Sequence, residues 1–111
     1  MKMIIAVIQP FMLNKLTAEL EVIDNFPGLT ATEARGFGRR IDRDGNRINA
    51  LDPYKAKLRV EIVARDEMVE SVVETIKTYA HTGHHGDGKI FVLPVENAVR
   101  IQTGETGEPA I

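Results

Sequence analysis

The chain has 111 residues, 43% of them hydrophobic and 27% charged, with a formal net charge of −2. This is an ordinary globular composition, which excludes disordered and collagen-like chains, and the length suits one domain. With no cysteine there is no disulfide scaffold, thiolate zinc site or cysteine nucleophile, and the small net charge supplies no general field for nucleic acid or an anionic membrane.

Residues 3–8, Met-Ile-Ile-Ala-Val-Ile, form an apolar run closed by Pro10, which reads as a strand buried on both faces. Leu13, Leu16, Leu20 and Ile23 then recur at helical spacing among Lys15, Glu19 and Glu21, and the helix stops at the breakers of residues 25–28. Residues 29–35 are a second strand. Residues 36–53 show neither helical nor strand periodicity and carry seven charged side chains around an Asp44-Gly45-Asn46 turn signal, as a long loop or exposed hairpin does. Ala56, Leu58, Val60 and Ile62 alternate with Lys57, Arg59 and Glu61, the pattern of a strand with one face buried. Asp66 is placed as the N-cap of a second helix with the apolar stripe Val69, Val72, Val73, Ile76 and Ala80. A glycine-rich break at 81–88 leads to the strand Ile90-Phe91-Val92-Leu93, and a short strand at 99–102 precedes a polar tail. The order predicts a split α+β sandwich, βαββαβ and ferredoxin-like, whose two helices cover one face of a four-stranded sheet. The other face is left for an oligomer. No stretch reaches the roughly 18 apolar residues of a membrane span, and residues 1–8 lack the features of a signal peptide, so the expectation is a cytoplasmic domain without direct membrane insertion.

The most informative segment for chemistry is His81-Thr82-Gly83-His84-His85-Gly86-Asp87-Gly88-Lys89. Its glycines allow backbone N–H groups close to an anion and Lys89 adds a positive charge. It is not a P-loop, which runs from strand to helix and carries Ser or Thr after the lysine, where this chain has Ile90. A phosphate loop and an unliganded glycine turn both fit the spacing. Gly36-Phe37-Gly38-Arg39-Arg40 offers a second anion site or simply a strand exit, and Arg100 is a ligand only if distant segments converge. His81, His84 and His85 are candidate metal ligands, but loop spacing does not force them onto one ion. The single serine, Ser71, falls on the polar side of a helix, which argues against a Ser-His-Asp hydrolase, and no acid/base pair stands out.

Taken together these segments resemble the PII signal-transduction (nitrogen regulatory P-II) family over nearly the whole chain. The opening strand with Pro10-Phe11, Gly28-Leu29-Thr30, Arg35-Gly36-Phe37-Gly38-Arg39, Thr82-Gly83 with Gly86-Asp87-Gly88-Lys89-Ile90-Phe91-Val92, and Arg100-Ile101-Gln102-Thr103-Gly104-Glu105 carry the resemblance. It implies one domain, 1–111, with a T-loop at 36–56, a B-loop at 82–89 and a C-loop at 100–108. It also implies a non-enzymatic homotrimer that senses ATP, ADP or AMP, with or without Mg²⁺, in clefts between subunits. The T-loop would dock on a target enzyme, transporter or regulator. By matching position, Gly86, Asp87, Gly88 and Lys89 would cradle phosphates with Arg39 and Arg100. Gly28, Leu29, Thr30 and Val63 would lie on the adenine side, and Gly36 and Gly38 would form the cleft wall.

The departures define a divergent paralogue. Arg40 stands where the family has a glutamine that helps bind Mg²⁺ and 2-oxoglutarate, and a guanidinium cannot coordinate the metal. Lys57 matches the family's other 2-oxoglutarate contact, yet weak or absent 2-oxoglutarate sensing is expected. Gln102 replaces a second C-loop arginine, which weakens terminal-phosphate contacts by roughly 1–3 kcal/mol unless Arg40 offsets the loss. His84 and His85 replace a lysine and an isoleucine. The T-loop has no serine and no tyrosine near its tip, with Tyr54 at its base, so control by uridylylation or serine phosphorylation is not expected. Two alternatives remain: a metal- or small-anion-responsive member linked to metal efflux or inorganic-carbon handling, and a slow ATP hydrolase.

Overall fold

A computed structural model describes residues 1–38, 44–47, 51 and 53–111. Strand β1 (Lys2–Ile8) is followed by a 3₁₀ turn (Pro10–Met12) and helix α1 (Leu13–Glu21). Then come β2 (Thr30–Gly36), β3 (Lys55–Ala64), helix α2 (Asp66–Tyr79), β4 (Gly88–Pro94) and a 3₁₀ turn at Glu108–Ala110. The sheet order is β2-β3-β1-β4 with every neighbouring pair antiparallel, which is the ferredoxin-like α+β arrangement expected.

The core lies where helices meet the two central strands. Ile4, Ala6 and Ile8 alternate on β1 and stand opposite Ile62, Val60 and Leu58 of β3. Leu16 and Leu20, four residues apart, bring α1 onto them, and Val72 and Ile76 do the same for α2; all four are fully buried. Each such side chain contributes about 1.5–3 kcal/mol on leaving water. Between α1 and β2 the chain reverses through two left-handed residues, Asn25 (φ 61°) and Gly28 (φ 104°), a conformation that asparagine tolerates and glycine adopts freely.

Three expectations need correction. Residues 3–8 are buried on one face, not both: Met3, Ile5 and Val7 point away from the helices and are only half-buried. They share the outer face with Val63, Glu61 and Arg59 on one side and with Leu93, Phe91 and Lys89 on the other. Phe91 is 51% and Leu93 41% exposed, so the centre of the outer face is an apolar strip with a charged margin. Asp66 is the first residue of α2 rather than its N-cap, which is Arg65. Its carboxylate lies 3.0 Å from the amino group of Met1, whose hydrogen bond and charge lower its pKa. Finally, the short strand expected at 99–102 reduces to one antiparallel bridge, Val99 to Thr106, around a turn at 101–103.

Candidate functional site

The glycine loop between α2 and β4 is organised from within by Asp87. One carboxylate oxygen accepts the Thr82 hydroxyl; the other accepts the backbone N–H groups of Thr82 at 2.7 Å and Gly83 at 2.9 Å. The His81 imidazole lies 3.6 Å away. The Thr82 hydroxyl is the largest cause, followed by the Thr82 and Gly83 N–H groups and the His81 charge, of a carboxyl pKa lowered to about 2. Asp87 is thus ionised at any working pH and committed to the loop's own backbone. Gly83, Gly86 and Gly88 all have positive φ, at 85°, 89° and 109°. At Gly88 a side chain is excluded outright, because its Cβ would fall 1.6 Å from the Val7 carbonyl oxygen. Lys89 follows on the outer face of the sheet opposite Val7. The loop therefore combines three positive-φ glycines with one lysine, while the Thr82, Gly83 and His84 N–H groups are used within the loop itself.

The base of the segment joining β2 to β3 lies at the same end of the sheet. Gly36 pairs with Lys55, and Leu58 and Gly88 both pair with Ile8. The Lys57 ammonium reaches across and donates a hydrogen bond to the Gly86 carbonyl. Phe37 and Tyr54, the next facing pair beyond Gly36 and Lys55, bring their rings within 5.7 Å. Gly38 follows Phe37, while Arg39 and Arg40 lie outside the described residues.

Of the remaining candidates, Val63 and Arg100 lie toward the far end and Thr30 is level with the middle of β1. Val63 faces Met3, and Thr30 faces Glu61, which in turn faces Ile5. Gly28 and Leu29 lead into Thr30. After β4 the Val95 N–H donates to the Met1 carbonyl at 3.1 Å, which holds the C-terminal segment at this end. There Arg100 lines a cleft of about 810 Å³ with Ile23, Pro27, Arg65 and Met68. The Arg100 N–H donates to the Glu105 carbonyl at 2.9 Å and the Gly104 N–H to the Arg100 carbonyl at 2.7 Å, closing a tight turn that leaves Gln102 exposed. Six residue steps along β1, roughly 20 Å, separate the two ends. Within one chain Gly86 and Gly36 meet across Lys57, with Lys89 at the same end of the sheet, whereas Val63 and Arg100 lie at the opposite end and Thr30 is level with the middle of β1.

His81, His84 and His85 are exposed, and no group of three or more His, Asp or Glu side chains among the described residues is arranged to hold a metal ion. Residue-by-residue reading singled out neither Thr82 as the partner of Asp87 nor the Lys57–Gly86 contact. The first was visible as a Thr-Gly pair five residues before an Asp-Gly pair, a side chain able to bond back to nearby N–H groups. The second joins residues 29 apart and has no local signal.

The fold and loops define a ferredoxin-like α+β domain with a glycine-rich loop leading into its edge strand β4. A family model described as nitrogen regulatory protein P-II matches residues 1–105. The nitrogen regulatory proteins P-II of Azospirillum brasilense and Rhizobium meliloti (strain 1021) are each 44% identical to this chain over 113 aligned residues, covering all of both sequences. The nitrogen regulatory protein P-II homolog of Arabidopsis thaliana is 41% identical over 108, spanning 95% of this chain and 55% of that protein. The chain belongs to the P-II family of nitrogen regulatory, signal-transducing proteins.

Proposed function

We propose that the protein is a homotrimeric adenine-nucleotide sensor that controls a partner protein through the T-loop, 36–56, with little or no response to 2-oxoglutarate. The carrying observation is the division of the candidate site. Lys89 and the glycine loop lie at one end of β1, Arg100 and Val63 at the other. Residues so divided meet on one ligand only when the end of one subunit abuts the opposite end of another. The apolar strip of Met3, Ile5, Phe91 and Leu93 supplies a surface for such an assembly. In this reading the Gly86, Asp87 and Gly88 segment of the B-loop, 82–89, with Lys89, Arg39 and the neighbouring C-loop's Arg100, holds the phosphates. Gly28, Leu29, Thr30 and Val63 form the adenine side. Asp87 shapes the loop, since its side-chain oxygens are already occupied by Thr82 and Gly83. Gln102 favours ADP or AMP over ATP where Arg40 does not offset the lost charge; Arg40 in place of the metal-binding glutamine, and a Lys57 ammonium engaged by Gly86, support a weak 2-oxoglutarate response.

The test is calorimetric titration with ADP, AMP and ATP, with and without Mg²⁺ and 2-oxoglutarate, alongside a light-scattering mass. Expected are a trimer, saturable binding that Lys89→Ala and Arg100→Ala each weaken tenfold or more, and phosphate release no faster than a protein-free blank. A protein that binds no nucleotide, or a monomer that binds with full affinity, overturns the reading.

A further inference from the structure

Lys57 occupies a channel made by two missing side chains. Its stem crosses Gly36, the last residue of β2, where an added Cβ would lie 3.2 Å from Lys57 Cγ. Its ammonium ends against Gly86, where an added Cβ would lie 3.1 Å from Nζ and 3.4 Å from Gln9 Nε2. There Nζ donates to the Gly86 carbonyl. Among the described residues Lys57 has no carboxylate partner, and the neighbouring Arg59 is paired with Glu61 at 2.9 Å. The lysine thus spans from the neck of the β2–β3 segment to the glycine loop, tight on both glycines. An ammonium that donates to a backbone carbonyl and lies along two glycines links those two segments through one side chain.

We propose that Lys57 is a positioning residue, a strut that transmits movement between the glycine loop and the neck at Gly36. A ligand that draws the loop outward pulls on Gly86, and the side chain across Gly36 carries the displacement into the β2 exit. By reciprocity, whatever factor the ligand imposes on a partner's affinity at the neck, that partner imposes on the loop's affinity for the ligand. The ligand arm of this inference rests on the nucleotide reading; the strut itself does not.

Both are tested by NMR on the intact protein. In the ligand-free state, Lys57→Met, which keeps the length but removes the donor, is expected to shift the Gly86 carbonyl ¹³C and Asp87 amide ¹⁵N resonances, and Lys57→Arg to restore them in part. With ADP as the probe, the Gly36 and Gly38 amides are expected to shift in the unaltered protein but not in Lys57→Met, whose ADP affinity falls about tenfold. Unchanged Gly86 and Asp87 resonances in Lys57→Met overturn the strut, as do Gly36 and Gly38 responses that persist without the lysine. If the unaltered protein binds no ADP, the nucleotide reading fails, while the ligand-free resonances still decide the strut.

Discussion

Replacing Gly88 with alanine tests whether the glycine loop is held by backbone contact or by conformation alone. Two costs separate cleanly. The residue sits at φ 109°, a left-handed conformation that costs an L-residue about 1–2 kcal/mol. The new methyl also meets the Val7 carbonyl oxygen at 1.6 Å, so β4 and β1 have to part by about 1.8 Å to reach the 3.4 Å at which ordinary contact begins. Forced overpacking of this kind adds about 1–3 kcal/mol. Gly104→Ala is the matched control: its φ is 76°, and nothing lies within 4 Å of the position its Cβ would take. It therefore bears a left-handed conformational cost, smaller than that at φ 109°, without the collision. Urea unfolding at one protein concentration should place Gly88→Ala about 1–3 kcal/mol below Gly104→Ala, a midpoint lower by about 1 M. Equal midpoints for the two variants would refute the claim that the Val7 backbone is what demands a glycine there.

Leu20→Ala, at a fully buried position between α1 and the sheet, is expected to lose about 2–5 kcal/mol in the same assay, whereas Val22→Ala, 75% exposed, should stay within about 0.5 kcal/mol of the parent. Thr82→Val removes the main cause of the low Asp87 pKa, so the carboxyl should titrate well above about 2 when followed by ¹³C NMR. A depressed folded-state pKa stabilises the fold above the unfolded value near 4 and is lost as pH falls from there toward 2, so the parent should lose more stability across that window than Thr82→Val. Phe91→Asp places a charge in the apolar strip of the outer face; light scattering should report a fall toward the 12.3 kDa of one chain, and an undiminished assembly mass would show that this face is not the interface.

The parts of the fold that depend on local pattern were legible in advance. The alternation at 56–62 marked β3, and the i, i+4 spacing of Val72, Ile76 and Ala80 marked the buried stripe of α2. The error at β1 came from the same source as the success. An uninterrupted apolar run has no period, so it cannot tell a strand covered by helices on both sides from one with helices on one side and an apolar outer face on the other. Residues 99–102 read as a strand because Val99 and Ile101 alternate with polar neighbours, but the Arg100–Glu105 and Gly104–Arg100 hydrogen bonds fold them into a turn that a two-residue pattern does not distinguish. Asp66 and the N-cap differ by one position, within the ordinary fraying of helix starts. At the candidate site, glycine spacing identified the loop, whereas the role of Asp87 depends on where Thr82 points, and the bridge from Lys57 to Gly86 depends on the sheet register that brings the start of β3 to the same end as the glycine loop.

The placement of Lys89 and Arg100 at opposite ends of β1 gives the chain a direction, with two ends that differ from one another. If such ends mate on a shared ligand, subunits join head to tail, by a heterologous contact that leaves an unsatisfied end on any open row. An open row of n subunits has n − 1 complete sites; only a closed ring has n. Ligand binding would therefore favour closure, because the last contact adds a full site without adding a subunit. Subunits crippled separately at Lys89 and at Arg100 should likewise regain, when mixed in one ring, a site that neither can form alone.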